Sequence, residues 1–390
     1  MKILFVIPAI APSYGGPSQA TIEMSQALIE RGVQVEIATT NADLDQNLNV
    51  PLGKKVLHEG IPTYFFPRSS KMEYKFSWPL TKWLRENIRN YDLLHINYVF
   101  CYSTAIAAYY ARKYKVPYLI HCAGILDHWS MKQRPLRKWL YLKLVERRNL
   151  NGAAVIHYTS EEEKSASERF GFSSQGVVIP LGVQVNSKQE ETEQNLFRNK
   201  YPQHQGKKQI VFLSRLHPKK NLELVIKSLS KLRKVRDDFV LIIAGSGEPN
   251  YQIELKEKIR RSGLATHAIF TGFLREREKF MLLRDADLFV LPSYQENFGI
   301  ALVEAMSRGL PVLITPGVHL SSLIEKEEAG RVSTYDEGEF SRHINELLDD
   351  DELRKKLGSN ARRLVIEKFS WQVIAPQIKA LYQKILKKRP

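Results

Sequence analysis

The sequence of 390 residues is poor in cysteine and contains no long apolar run. Its two cysteines, Cys101 and Cys122, cannot build a disulfide framework, so a reducing cytoplasm fits best. The absence of about 18 consecutive apolar residues argues against a membrane-spanning helix. Pro8 and Pro12 interrupt the apolar start at 2–8, and no clear cleavage site follows. We therefore interpret this start as a first buried strand rather than as a signal peptide.

Acidic side chains are also scarce, because 42 aspartates and glutamates face 58 lysines and arginines and leave a net charge of +16. The excess is densest in residues 129–148, where Glu146 is the single acidic side chain. The basic side chains of this segment are Lys132, Arg134, Arg137, Lys138, Lys143, Arg147 and Arg148. Pro135 suits the first turn of a helix, and a basic helix with tryptophan and leucine on its other face can lie on an anionic membrane surface.

Two other interpretations of the basic charge are weighed against a membrane surface. Scattered lysines in an alkaline protein, without any partner, remain an alternative. Nucleic acid is not an expected partner, because the chain has no aromatic RNA-stacking motif and no helix-turn-helix signature.

Short apolar runs alternate with helical patterns, which is typical of parallel sheets covered on both faces. The predicted strands cover 2–8, 33–40, 92–97, 116–122, 153–160 and 176–182 in a first series, and 209–215, 238–247, 267–274, 287–293 and 310–315 in a second series. The predicted helices include 20–32, 103–115, 221–232, 300–308, 338–367 and a closing helix that Pro376 interrupts.

These patterns predict an α/β protein with two Rossmann-like, doubly wound parallel-sheet domains that face each other across a cleft. The first domain covers 1–184 and the second covers 209–370. The polar stretch 185–208 is predicted to be a linker with a short helix, and the closing helix, about 371–390, is expected to pack back on the first domain. Ligands of open parallel sheets bind outside the carboxyl ends of the strands, so candidate residues are sought there.

Two glutamates, Glu296 and Glu304, stand on either side of Gly299 in the stretch QENFGIALVE. In a single helix they would lie about 80° apart around the axis and about 12 Å apart along it. That separation is too large for acid–base work on one atom, but it suits contacts with two parts of one long ligand. A helix that begins near Gly299 would direct its free N–H groups toward the same ligand.

Several motifs, taken in order, resemble those of the retaining GT-B glycosyltransferases of family 4. They are Tyr14-Gly15-Gly16, Ser214-Arg215-Leu216-His217-Pro218-Lys219-Lys220-Asn221, Ala244-Gly245-Ser246-Gly247, Thr271-Gly272-Phe273, Leu291-Pro292-Ser293 with the Glu296…Glu304 pair, and Gly309-Leu310-Pro311-Val312. Their order and spacing over nearly the whole chain carry the resemblance. It implies a GT-B fold and transfer of a sugar from a nucleotide-diphosphate-sugar, with retention at the anomeric carbon and without a required metal or other cofactor.

The resemblance implies a donor site built mainly by the second domain. Arg215 and Lys220 would bind the diphosphate and stabilise its growing charge, although a solvated basic loop is an equal alternative from charge alone. Glu296 would bind hydroxyls of the transferred sugar, and Glu304 would bind those of the ribose. Further donor contacts are expected from Gly15, Gly16, Gly247, Phe273, Asn297, Phe298, Gly299 and Ile300.

His121, at the end of the strand at 116–122, is a candidate contact to the donor sugar and the reacting centre. The relatives' His-Gly pair aligns with Ala123-Gly124 in one register, so His121 is either the equivalent residue or a neighbour of it. Asn97, Asp127 and His128 are weaker candidates near the same strand ends.

The triplet Asp285-Ala286-Asp287 resembles the metal-binding motif of the other glycosyltransferase fold. It precedes the strand at 287–293 and therefore lies at the edge of the sheet away from the ligand. Both aspartates are expected to solvate that loop, and no metal site is predicted.

The sequence therefore predicts a retaining glycosyltransferase whose acceptor is a lipid-linked or membrane-proximal glycan, as in cell-surface polysaccharide or glycolipid synthesis. The segment 129–148 favours this acceptor and a cytoplasmic protein bound peripherally to the inner face of the plasma membrane. A small soluble acceptor of the sucrose or trehalose type is one alternative, and a non-catalytic sugar-nucleotide sensor is another. No residue identifies the base or the sugar of the donor.

Overall fold

The computed structural model describes residues 1–69, 74–185 and 195–388. The chain forms two α/β units, of which the first comprises Met1–Gly182 with Trp371–Pro390 and the second comprises Val183–Ser370. The polar stretch 185–208 falls within the second unit, and residues 186–194 of that stretch lie outside the described residues.

A mostly parallel sheet organises the first unit. Its strands are β1 (Lys2–Ala9), β2 (Gln34–Thr40), β3 (Ala42–Asp43), β4 (Gln46–Asn47), β5 (Lys55–His58), β6 (Ile61–Phe66), β7 (Leu93–Asn97), β8 (Tyr118–His121), β9 (Val155–Tyr158) and β10 (Gly176–Val178). Eight of them form one sheet in the order β10-β9-β8-β7-β1-β2-β6-β5, and β3 pairs with β4. Every residue of β7, β8 and β9 is buried, which is why these strands form nearly continuous apolar runs in the sequence.

The helices that precede β10 in the first unit lie between its strands. They are α1 (Gly16–Ile29), α2 (Trp78–Asn87), α3 (Tyr102–Lys113), α4 (His128–Lys132), α5 (Pro135–Tyr141), α6 (Arg147–Asn151) and α7 (Glu161–Glu168). Serine caps fix two of the starts, because the hydroxyls of Ser77 and Ser160 accept hydrogen bonds from the N–H groups of Leu80 and Glu163.

The antiparallel hairpin of β5 and β6 is absent from the sequence predictions. Pro62 lies inside β6 and argues against a strand, while β5 is only half-buried at alternate positions. Glu59 and Gly60 join the strands with positive φ angles of 49° and 77°. Two such residues match the twist of a tight hairpin, and a Glu-Gly pair is a weaker signal for it than Asn-Gly.

A fully parallel sheet organises the second unit. Its strands are β11 (Lys208–Leu213), β12 (Phe239–Ala244), β13 (Ala268–Gly272), β14 (Leu288–Leu291), β15 (Val312–Ile314) and β16 (Gly330–Val332), in the order β13-β12-β11-β14-β15-β16. The sequence predicts all but β16, which has three residues and only one that is fully buried.

The helices of the second unit alternate with these strands. They are α8 (Leu196–Asn199), α9 (Leu222–Leu232), α10 (Pro249–Arg261), α11 (Glu276–Asp285), α12 (Ile300–Ser307), α13 (Ser321–Lys326), α14 (Glu337–Asp349) and α15 (Asp351–Lys368). The region 338–367, which the sequence predicts to be helical, comprises two helices. They divide at Asp350, whose carboxylate accepts a hydrogen bond from Leu353 N at 2.8 Å and caps α15.

The last helix, α16 (Trp371–Lys387), runs through Pro376 without ending, so the predicted interruption is wrong. Proline removes one backbone donor from a helix interior. The burial of the apolar face stabilises α16, so the helix continues past the proline. The buried face of α16 consists of Trp371, Ile374, Ala375, Ile378, Leu381, Tyr382 and Ile385.

Helix α16 packs within the first unit. Trp371 Nε1 donates to Glu23 Oε2 over 2.8 Å, and Tyr382 Oη lies 2.6 Å from His95 Nδ1. The indole also covers Gly182, where an added Cβ would lie 2.4 Å from a ring carbon. Gly182, where the chain leaves the first unit, is thus packed against Trp371, where the chain returns to it.

The basic segment 129–148 forms α4 and α5 and continues through a π-helical turn, Leu142–Glu146, into α6. Pro135 lies in the first turn of α5, as the sequence predicts. The large apolar side chains that the segment exposes are Leu136, Trp139, Leu140 and Leu144, at 79, 55, 50 and 67%. Its exposed cations are Lys132, Arg134, Arg137, Lys143, Arg147 and Arg148. Apolar and basic groups therefore share the solvent side, and the prediction that they occupy opposite faces is wrong.

Across the described ranges, no helix combines the length and the apolar character that crossing a bilayer requires.

Candidate functional site

The loops after β11, β12, β13 and β14 lie along one edge of the second sheet, because these parallel strands are neighbours. Backbone hydrogen bonds join the loops to one another. Leu216 N donates to Ser246 O over 2.8 Å, and Tyr294 N donates to Lys219 O over 2.9 Å. This edge therefore brings together predicted site residues that are far apart in the sequence.

Two glycines allow the first two loops to touch. A Cβ at Gly245, whose φ is 133°, would lie 1.9 Å from the carbonyl oxygen of Ser214. A Cβ at Gly247 would lie 2.0 Å from the carbonyl oxygen of Leu216. Close backbone approach thus accounts for both glycines, and the donor contact expected at Gly247 stays a prediction.

A basic loop follows β11 and ends in the 3₁₀ turn Pro218–Lys220. His217 Nδ1 accepts a hydrogen bond from Lys219 N at 3.1 Å and caps this turn. Asn221, with φ at 52°, then directs the chain into α9. The guanidinium of Arg215 is exposed and forms no ion pair with any carboxylate in the described part of the chain, so it is available to a bound anion.

Lys220 and Glu296 meet at this edge, where the ammonium donates to Oε2 of the carboxylate. Both side chains are mostly buried, at 12 and 18% exposure. The backbone of Glu296 is held on both sides, because its N–H donates to Gly317 O at 2.8 Å and its carbonyl accepts from His319 N at 3.0 Å. These two backbone hydrogen bonds help to position the carboxylate.

Helix α12 begins directly after Gly299, which confirms the predicted helix start. Gly299 has φ at 74°, and a Cβ there would lie 3.2 Å from Cγ of Glu296. The side chain of Phe298 is 3% exposed and packs edge-on against Phe369 at 5.5 Å between ring centroids. Phe298, Gly299 and Ile300 can therefore offer a ligand their backbone N–H groups.

Glu304 lies in the second turn of α12, and Oε1 of its carboxylate is 2.5 Å from Nζ of Lys279. The two side chains are 15 and 21% exposed. Lys279 belongs to α11, which is absent from the sequence predictions, so this partner is missed. Acidic Glu276 and Glu278 in the first turn of α11 are the sequence signal that indicates the helix.

Phe273 follows β13 and leaves 45% of its surface exposed, which suits contact with a flat ligand group at this edge. Asn297 lies half-buried between Glu296 and Phe298. The donor contacts expected of Phe273 and Asn297 stay predictions.

The basic loop also affects the pKa of His217. Burial, followed by the charges of Arg215, Lys219 and Lys220, lowers the pKa of His217. A neutral imidazole agrees with the acceptor role of Nδ1 in the cap. The loop therefore concentrates positive charge without adding a fourth cation at neutral pH.

In the first unit, Gly15 has φ at 71° and precedes Gly16, the first residue of α1. A Cβ added at Gly15 would meet nothing within 4 Å, so backbone conformation rather than crowding requires glycine there. Open space beside the backbone is compatible with the expected donor contact, which stays a prediction.

His121 is 4% exposed at the end of β8. Its ring packs against His157 at 4.7 Å between centroids, and its Nδ1 lies 3.4 Å from Asn97 Oδ1. Burial lowers the pKa of His121 to about 4. Asp127 is buried as well, while His128 is exposed at the start of α4. His121 thus contacts side chains of its own sheet, and its contact with a donor stays a prediction.

Asp285 and Asp287 hold the chain together rather than solvate a loop, so that expectation is wrong. Asp285 Oδ2 accepts from the backbone N–H of Phe197 at 2.8 Å and of Arg198 at 3.3 Å. Asp287 Oδ2 pairs with the guanidinium of Arg198 at 2.7 Å and accepts from Gln209 N at 2.7 Å. Both carboxylates are thus occupied by protein groups.

Two family models match the chain one after the other. The model described as Glycosyltransferase Family 4 matches residues 14–187, and the model described as Glycosyl transferases group 1 matches residues 193–364. Together they cover most of the sequence, and each model falls mainly on one of the two units.

Similar proteins agree with the family models. A phosphatidyl-myo-inositol mannosyltransferase of Mycobacterium leprae is 24% identical over 99% of this chain and 97% of its own length. The solved structure of Anabaena HepE in complex with UDP and glucose is 22% identical, covers 98% of this chain and 100% of its own, and superposes with a TM-score of 0.79. A sucrose-phosphate synthase from Thermosynechococcus elongatus is 19% identical, covers 99% of both chains and has a TM-score of 0.79. The chain therefore belongs to the family 4 and group 1 glycosyltransferases, and it is a hexosyltransferase built from the Rossmann-like units of the GT-B fold.

Proposed function

We propose that this glycosyltransferase takes its sugar from a nucleotide-diphosphate-sugar and binds that donor at the carboxyl edge of the second sheet. The observation that carries the proposal is the pairing of Lys220 with Glu296 beside the exposed guanidinium of Arg215. A carboxylate can bind the hydroxyls of a ligand, and the cations next to it can bind phosphates that adjoin those hydroxyls. The bound UDP and glucose of Anabaena HepE support the same ligand class.

The chemistry assigned to this edge is charge stabilisation. Arg215 and Lys220 bind the diphosphate, whose negative charge increases as the bond to the anomeric carbon breaks. The amides at Phe298, Gly299 and Ile300 add the positive end of α12. These groups supply the positive charge that the leaving group needs, so we propose catalysis without a metal.

The sugar is transferred with retention in this proposal. The acceptor hydroxyl attacks from the face that the diphosphate leaves, a new glycosidic bond forms as the old one breaks, and the departing phosphate takes the hydroxyl proton. Glu296 orients the transferred sugar through its hydroxyls. Glu304, held by Lys279, binds the ribose at the other end of the donor.

The donor proposal is tested in two steps. A thermal-shift screen with free nucleoside diphosphates identifies the base, because a ligand that binds the folded state raises its melting temperature. Radiolabelled UDP-, GDP- and ADP-sugars then reveal product. The double variant Arg215→Ala/Lys220→Ala is expected to lose turnover, whereas the exposed-lysine control Lys227→Ala in α9 is expected to keep it.

Turnover that survives the double variant contradicts the donor site. Nucleotide binding without product from any acceptor extract supports the sugar-nucleotide sensor instead.

We further propose that the acceptor is lipid-linked or membrane-proximal, in cell-surface polysaccharide or glycolipid synthesis. The support is the exposed surface of the segment 129–148, where apolar and basic side chains lie side by side. Apolar groups that enter the headgroup region, with cations beside anionic lipids, are the features of a helix that lies on a bilayer. The acceptor named for the mycobacterial relative is also a lipid.

The buried side of this segment holds its orientation. Glu146 Oε1 accepts from Phe100 N at 2.6 Å, and Oε2 accepts from Asn149 Nδ2 at 3.1 Å. On the solvent side, the ammonium of Lys143 lies 5.3 Å from the ring centroid of Trp139. These contacts therefore keep the same apolar and basic side chains on the solvent side, where a bilayer would bind them.

A liposome flotation assay tests the membrane surface. The protein is expected to float with vesicles that contain anionic phospholipid and to stay behind with neutral vesicles or high salt. The variants Trp139→Ser/Leu140→Ser and Arg137→Ser/Lys143→Ser are each expected to reduce flotation. The matched control Lys384→Ser/Lys387→Ser removes the same charge from α16 of the same unit.

Equal flotation of all variants, or none by the wild type, contradicts the membrane proposal. In that case a small soluble acceptor is favoured, and the sucrose-phosphate synthase neighbour then gives the acceptor class to test first.

A further inference from the structure

Three histidines lie on one face of the first sheet, at neighbouring strands. His121 of β8 pairs in register with His157 of β9 and with Asn97 of β7. His95 lies two residues before Asn97, so its side chain projects from the same face. The three histidines are 0 to 4% exposed. One ring nitrogen of each lies within 4.8 Å of the other two.

One ring nitrogen of each imidazole forms a hydrogen bond. His95 Nδ1 contacts Tyr382 Oη at 2.6 Å, His121 Nδ1 contacts Asn97 Oδ1 at 3.4 Å, and His157 Nε2 contacts the carbonyl oxygen of Ile179 at 2.7 Å. Amide and carbonyl oxygens accept, so His121 and His157 donate from these nitrogens. Histidines that ligate metals characteristically donate their second N–H in this way, which fixes the tautomer and the ring orientation.

The remaining nitrogens of His121 and His157 then carry lone pairs, and Nε2 of His95 does so when Nδ1 donates to Tyr382 Oη. Nε2 of His95 and Nε2 of His121 are buried and have no hydrogen-bond partner among the described residues. The bond to Ile179 leaves Nδ1 as the remaining nitrogen of His157. A water has two hydrogens and cannot donate to three acceptors at once, whereas one cation binds three lone pairs together.

We propose that His95, His121 and His157 form a buried site for a divalent transition-metal ion of the kind that imidazole prefers, with Zn²⁺ as the first candidate. Three histidine nitrogens make a known zinc donor set that leaves a fourth position open. Tetrahedral zinc requires nitrogens roughly 3.4 Å apart, so nitrogens that lie within 4.8 Å of one another need to approach by up to about 1.4 Å, which side-chain rotation within one rotamer well allows.

A carboxylate nearby offsets part of the ion's charge. Glu163 is 1% exposed, and its negative charge acts on His157. The carboxylate is held by Gly124 N at 2.6 Å and by Thr159 N at 2.8 Å. Because the three histidines are 0 to 4% exposed, the ion is expected to bind as the first unit folds, and binding stabilises that unit.

Metal content of the purified protein tests the site. The chain is expressed without a histidine tag in medium supplemented with zinc, and the metal per chain is measured by mass spectrometry. About one zinc ion per chain is expected in the wild type and in the control His343→Gln, which changes a histidine of α14 in the second unit. Less than a tenth of an ion is expected in His95→Gln/His157→Gln.

Two further measurements separate a specific site from a folding defect. Tyr382→Phe keeps the apolar body of the side chain and removes the partner of His95, so zinc affinity is expected to fall about 10- to 100-fold. Protein grown with Co²⁺ is expected to show the visible absorption of a tetrahedral cobalt site. A folded wild-type protein with no bound metal and no cobalt absorption overturns the proposal, as does unchanged metal content in the double histidine variant.

Discussion

Lys220 and Glu296 form an ion pair at the carboxyl edge of the second sheet, although 76 residues separate them in the sequence. The lysine ends the basic loop after β11, and the glutamate lies in the loop after β14, which is the neighbouring strand. Neither side chain is free to move far, because both are mostly buried. The pair therefore presents a cation and an acid at fixed positions before any donor binds.

Removing either member of this pair is expected to damage catalysis more than stability. Lys220→Ala deletes charge stabilisation of the leaving diphosphate, so kcat/KM is expected to fall by about 100-fold or more. Glu296→Gln keeps the shape of the side chain but weakens its hydrogen bonds to the sugar hydroxyls. The same kcat/KM assay measures this loss. Lys227→Ala serves as the control. A loss confined to the melting temperature, with kcat/KM unchanged in the folded fraction, contradicts the assigned roles.

Glu304 is expected to distinguish ribose from deoxyribose. A charged acceptor for the ribose hydroxyls contributes about 1.5–3 kcal/mol, so Glu304→Gln is expected to weaken nucleoside diphosphate binding roughly 10-fold or more. Calorimetry with the preferred nucleoside diphosphate and with its 2′-deoxy form measures the effect. The variant is expected to bind the two forms almost equally. Lys279→Gln leaves the carboxylate but loosens it, and a smaller loss is expected. Unchanged discrimination in Glu304→Gln places the ribose elsewhere.

Gly299→Ala is expected to affect both stability and donor binding. Its φ of 74° costs an alanine about 1–2 kcal/mol, and the new methyl group would also press on Glu296. Gly206→Ala is a matched control, because Gly206 has φ at 79° and open space around its Cβ position. Both variants are expected to lower the melting temperature, and only Gly299→Ala is expected to weaken nucleotide binding. Equal nucleotide affinity in both variants argues against a ligand at the start of α12.

The second unit is expected to lose stability in mild acid partly through His217. Its pKa is lowered in the folded state by burial and by Arg215, Lys219 and Lys220, so the unfolded chain binds the proton more readily. The stability that the neutral imidazole contributes is therefore complete above about pH 6.5 and decreases as the pH falls. Protonation also removes the acceptor for Lys219 N.

His217→Asn tests this pH dependence, because asparagine accepts the same N–H and does not titrate. The free energy of unfolding, measured by urea titration from pH 8 to pH 5, is expected to fall more steeply in the wild type than in the variant. Parallel pH curves contradict the role assigned to His217.

Fully buried strands are among the elements that the sequence predicts correctly. Strands such as β1 and β12 are apolar at almost every position, and the start of α12 follows from Gly299. The sequence does not predict β16 or the hairpin of β5 and β6. β16 has only three residues, β5 is exposed or half-buried at every position, and β6 contains Pro62. Pro376 wrongly indicates an interruption of α16, because the packing of the helix stabilises it by more than one lost hydrogen bond destabilises it.

Within the candidate site, the sequence predicts the residues of conspicuous motifs but not their partners. Arg215, Lys220, Glu296 and Glu304 are predicted, whereas Lys279 becomes visible only when α11 is placed against α12. The three-histidine cluster is hidden for a related reason. His95 and His157 lie inside runs of buried strand residues, and only the strand register brings them to one place.

The first unit is built from two segments of chain with the whole second unit inserted between Gly182 and Trp371. During synthesis, its sheet leaves the ribosome before the second unit, but α16 emerges after the second unit. Trp371 and Tyr382 of that helix form hydrogen bonds with Glu23 and His95. Until α16 has been synthesised, part of the apolar surface of the first unit therefore stays uncovered. The second unit can therefore be completed during translation before the first unit, whose sheet is fully covered only after α16 has emerged.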